Sequence, residues 1–84
     1  MNLQYRFSNN SEVQEYIEDM AYWIVEKSGC SMTEIEGLMV GEKEKVTNIF
    51  TPYPETALHH DPAKFAEMLA IHWNLVHEPK IVFV

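Results

Sequence analysis

Residues Ser11 to Gly29 constrain this chain more than any other stretch, because they spell one amphipathic helix with both ends marked. Ser11 and Gln14 have the spacing of a capping box, in which each side chain satisfies an orphaned backbone N–H, and Gly29 suits the left-handed residue that stops a helix. At about 100° per residue, Val13, Ile17, Met20 and Ile24 share one face. Glu12, Glu15, Asp19 and Glu26 share another, bordered on its two sides by Tyr22 and Trp23. One face seeks a core and the other seeks water or a partner.

The 84 residues predict a single compact domain spanning positions 1–84, with 46% hydrophobic residues, too many for a disordered chain. A formal charge of −7 repels nucleic-acid backbones and anionic membranes and suits a basic protein partner or simple solubility. No apolar stretch is long enough for a membrane span, and the first residues lack the apolar run of a secretory signal, so the expectation is a cytoplasmic protein. Cys30 is the only cysteine and follows the helix stop, where it reads as a packing residue rather than a reactive thiol.

Along the rest of the chain, Leu3, Tyr5 and Phe7 alternate with polar residues, which predicts a short strand over Asn2 to Phe7. Ile81 to Val84 follow Pro79 as a second β-favouring run, able to pair with the first. Ser31 and Glu34 repeat the capping-box spacing and start a second helix near Met32, which Gly41 ends. Val46 to Thr51 fits a helical turn or a strand, with the turn preferred, and a loop then runs from Thr51-Pro-Tyr-Pro54 to His60. Asp61 and Pro62 are an N-cap and a first helical residue. Phe65, Leu69, His72 and Val76 share one face of the helix they start, widened by Ala66, Met68, Trp73 and Leu75, and Pro79 closes it. The predicted fold is mainly α, or α+β if the termini pair: three main helices with a short two-stranded sheet from the chain termini.

Catalytic and metal signatures are weak. His72 and His77 lie five residues apart, about 140° around a helix, so they do not face one ion, and His59 and His60 sit in the loop. His60 has the position of a hydrophobic staple on Phe65. No nucleophile turn and no phosphate-cradling glycine loop occur, so the reading assigns no catalytic residue, no metal ligand and no cofactor. The acidic stripe is the remaining candidate surface, since like charges at these intervals repel and only Lys27 lies nearby.

Met20-Ala-Tyr-Trp-Ile-Val-Glu26, Gly29-Cys-Ser31 and Glu34-Ile-Glu-Gly37 resemble a family of small bacterial proteins whose pattern runs Met-Ala-x-Trp-Ile, Gly-x-Ser and then a second helix. His60-Asp-Pro62 with Phe65-Ala66 is similar to that family's His-Glu-x-Pro segment, and together the matches cover about half the chain. Some members are regarded as immunity proteins of toxin systems. The resemblance implies an inhibitor that binds a protein, which agrees with the stripe: Glu12, Glu15, Asp19 and Glu26 would dock on a basic surface with Tyr22 or Trp23 as anchor. Three alternatives stand beside it: a small metal-dependent or acid–base enzyme using the histidines, an inhibitor mimicking nucleic-acid charge, and a homo-oligomer such as a homodimer with a structural role.

Overall fold

A computed structural model describes residues 3–76 of the chain, and within them the fold is helical. Five helices follow in order: α1 Ser11–Ser28, α2 Met32–Gly41, α3 Lys43–Asn48, α4 Pro54–Leu58 and α5 Pro62–His72. The three long ones, α1, α2 and α5, are the three main helices expected from the sequence. The longest, α1, is the central element and packs against α5, α2 and α4.

The apolar face of α1 forms the middle of the core. Ile17, Met20 and Ile24 are fully buried and Val13 nearly so, each contributing about 1.5–3 kcal/mol of gross burial free energy. Ile35 and Met39 of α2 and Val46 of α3 close one side of this core. Ala21 of α1 and Ala66 and Ala70 of α5 are also fully buried, and small side chains at such positions let helices approach closely. Cys30 is half-buried and packs against the core, as a structural cysteine should.

The helix ends rest on local chemistry. The left-handed residue after α1 is Gly29, at φ 77°, whose N–H donates to Val25. Its start lies one residue earlier than the capping-box reading places it. Asn10 is the N-cap and accepts from the N–H groups of Glu12 (2.9 Å) and Val13 (3.4 Å), leaving Ser11 as the first helical residue. At α2 the N-cap half of the box forms, with Ser31 Oγ accepting from the Glu34 N–H, while the Glu34 carboxylate accepts from the Ser31 hydroxyl instead of its backbone N–H, both at 3.2 Å. At α5, Asp61 accepts from the Ala63 N–H at 2.9 Å, and the His60 ring meets Phe65 edge-on at 5.8 Å in the staple position.

Three expectations are corrected. No strand occurs among the described residues, so the sheet of the termini is not formed from Leu3 to Phe7, and Ile81 to Val84 lie outside the described residues. The physical reason is visible in the donors. The N–H groups of Leu3, Tyr5 and Phe7, which a neighbouring strand would engage, donate to the side chains of Glu18 (3.2 Å), Glu36 (2.7 Å) and Gln14 (2.8 Å). The segment bends at Gln4 and Tyr5 and is polar-anchored on α1 and α2 rather than laddered. Second, the loop expected before His60 contains α4, a helix of 5 residues begun by Pro54, whose fixed φ suits a first helical turn.

Third, α5 ends at His72, before Val76 is reached. Asn74 adopts a left-handed φ of 59°, with its N–H on Ile71 and the Leu75 N–H on Ala70, the bonding pattern of a Schellman cap. The stop was therefore Asn74, and Pro79 lies outside the described residues. The face of α5 is rotated accordingly: Ala66, Leu69 and Ala70 are buried, Met68 and His72 exposed, and Trp73 half-buried.

Candidate partner-binding face

The acidic stripe survives folding as a continuous exposed surface. Glu12, Glu15, Asp19 and Glu26 are all exposed on α1, on the side turned away from Ile17, Met20 and Ile24. From Glu12 to Glu26 they run along about 21 Å of helix axis. None of these four carboxylates is in an ion pair among the described residues.

The two bordering aromatics differ. Tyr22 is 45% exposed and presents its ring beside the carboxylates. Trp23 is half-buried against the core, and Lys27 Nζ lies 5.9 Å from its ring centroid, a cation–π contact one helical turn on. Trp23 is thus partly committed to the core, whereas Tyr22 is the more exposed of the two. Tyr16, one step further round, belongs to the core: its ring meets Phe50 edge-on at 5.4 Å, and its hydroxyl donates to the His60 carbonyl at 2.8 Å. Burial first, and the Asp61 charge second, push the Tyr16 hydroxyl above its ordinary pKa.

The remaining acids with partners are structural. Glu18 and Glu36 hold the amino-terminal segment, and Glu42, between α2 and α3, holds the end of α5. Its carboxylate accepts from the Trp73 indole N–H and lies 3.2 Å from His72 Nε2. The Trp73 bond first, and then His72, lower the Glu42 pKa below its usual value. Sequence reasoning missed this cluster, because its members are 30 and 31 residues apart and no local pattern links them.

The histidines are dispersed. His59 and His60 are exposed before α5 and His72 is exposed at its far end, about 16 Å along the axis, while His77 lies outside the described residues. Among the described residues no group of three or more His, Cys, Asp or Glu side chains is arranged to hold a metal ion. No helix among them is long and apolar enough to cross a membrane.

No family model, curated protein or solved structure matches this chain. The stripe is therefore interpreted from its own geometry and chemistry.

Proposed function

We propose that this protein is a small acidic binding domain that occludes a basic surface on a partner protein, in the manner of a bacterial immunity or antitoxin-like inhibitor. The observation that carries the reading is the outward face of α1, where four exposed carboxylates without ion-pair partners among the described residues flank an exposed tyrosine. Holding like charges at helical spacing costs a few tenths of a kcal/mol per pair, a cost that basic residues at the same spacing would remove. A complementary partner offsets that cost on binding and gains from long-range steering. Tyr22 and Trp23 supply the aromatic area that anchors such interfaces. Neither residue does chemistry in this mechanism: the protein acts by covering.

The test is paired affinity capture from cell extract at low and moderate salt, using the wild-type protein and the double variant Glu15→Lys, Asp19→Lys. The wild type should retain a basic protein in a salt-sensitive manner, and the double reversal should weaken its binding by about tenfold or more, since each reversal replaces attraction with repulsion. Equal retention of that protein by both would remove the stripe from the mechanism.

A further inference from the structure

A second surface lies apart from the stripe, where α3 and α5 leave an open apolar groove of about 430 Å³. Ile49, Phe65, Met68 and Leu69 line it, and Met68 is 58% exposed. Its electrostatics run against the rest of the molecule. In a chain with 13 Asp and Glu against 6 Lys and Arg, no carboxylate lines this groove, and Lys45 does. Lys64 adds a second ammonium, with its Nζ 5.7 Å from the Phe65 ring centroid. His72 closes one end with its ring bonded to Glu42, whose carboxylate also feels the charge of Lys45, and neither Lys45 nor Lys64 is within ion-pair distance of a carboxylate among the described residues.

We propose that the α3–α5 groove receives an amphipathic helical segment of another protein, apolar on one side and acidic along its flanks. From Phe65 to His72 the groove follows α5 for about 10 Å, the span of anchors at i, i+3 or i+4, and i+7 on a docking helix. Met68 is suited to such a site, because its unbranched, polarizable thioether adapts to the side chains laid on it. The lysines select the sign of the flanks. They also disfavour a groove-to-groove pairing of two copies, which would bring Lys45 of each towards the other's cations. This site and the acidic face of α1 are on different elements and stand or fall separately.

The proposal is tested by fluorescence anisotropy on the full chain with a synthetic helix of about 18 residues, carrying leucines at i, i+3 and i+7 spacing and glutamates on both flanks, against a twin with lysine flanks. The glutamate peptide should bind saturably and more weakly as salt rises, with the lysine twin about tenfold weaker or worse. Met68→Glu, at an exposed position that leaves the helical circular dichroism intact, should lower affinity about tenfold. Lys45→Glu with Lys64→Glu should reverse the preference between the two peptides. The double reversal of Glu15 and Asp19 should leave glutamate-peptide affinity within about twofold, because no residue of α1 lines the groove. Failure of both peptides to bind, equal binding of the two, or indifference to Met68→Glu would overturn the proposal. So would an oligomer of the wild type that Met68→Glu disperses in sedimentation, which would make a second copy the occupant. Peptide binding by an Ile81→Ser, Phe83→Ser variant but not by the wild type would overturn it too, by making residues 81–84 the occupant.

Discussion

Tyr16 and Glu42 each tie a distant piece of chain to the helical core, and each carries a pH signature. The Tyr16 hydroxyl donates to the His60 carbonyl, so Tyr16→Phe should cost about 0.5–1.5 kcal/mol, seen as a melting temperature lower by about 4–8 °C per kcal/mol. Its pKa is raised above 10.0 in the folded state, which makes its contribution complete below that value and lost as pH rises through the folded pKa. Urea midpoints above pH 10 should therefore fall less steeply in Tyr16→Phe than in the wild type. Glu42 behaves in the opposite sense. Its carboxylate is lowered from 4.5 by the Trp73 bond and then by His72, so its contribution is present above 4.5 and disappears as pH falls through the lower folded value. Glu42→Gln keeps an acceptor for the indole but carries no charge. Denaturation midpoints followed from neutral pH into this acid range should show a shallower loss for Glu42→Gln, and an identical slope would place the acid sensitivity elsewhere.

At the scale of elements, the caps decide where helices begin, and adjacent candidate residues compete for the role. Ser11 and Asn10 both precede the apolar periodicity of α1, and Asn10 holds the position because its carboxamide oxygen reaches two orphan N–H groups. Asn10→Ala should destabilise by about 0.5–2 kcal/mol, whereas Ser11→Ala should change stability by no more than about 0.5 kcal/mol. Thermal melts of the two variants measure this directly, and the reverse order would restore the capping-box reading. Gln14 is freed from that box for a different task. Its amide accepts from the N–H groups of Phe7 and Ser8 at 2.8 and 3.2 Å and donates to the Tyr5 carbonyl at 3.1 Å. The same side chain thus couples α1 to the segment before it. The C-terminal ends follow a simpler rule, because Gly29 and Asn74 are the residue types that tolerate the left-handed conformation a stop requires.

For the whole molecule, the residues from Leu3 to Ser8 are held by side chains of α1 and α2 instead of by a sheet. Leu3 is buried with the core and Phe7 packs against it, so at the Phe7 end the Gln14 bonds are the polar part of that anchoring. Gln14→Ala should speed hydrogen exchange at the Phe7 and Ser8 amides while leaving exchange at Ile17, Met20 and Ile24 unchanged. Uniform acceleration across the helix would show that the segment is part of the cooperative unit. By itself the sequence determined the three main helices, most of their end residues, the staple of His60 on Phe65 and the acidic face of α1. Caps and periodicities act within a few residues of chain, so the order of residues contains them. Tertiary structure alone decided that Leu3, Tyr5 and Phe7 would bond to side chains and not to a strand. It also decided that Glu42 would meet His72 and Trp73, and that Met68 would face an open groove with two lysines beside it. Those outcomes depend on which donors and surfaces lie within about 3 Å of groups far away in the chain, and hydrophobic alternation is equally compatible with either partner. The acidic stripe with its bordering aromatics owes its exposure to the opposite face: burial of Ile17, Met20 and Ile24 turns Glu12, Glu15, Asp19, Tyr22 and Glu26 outward and draws Trp23 halfway in.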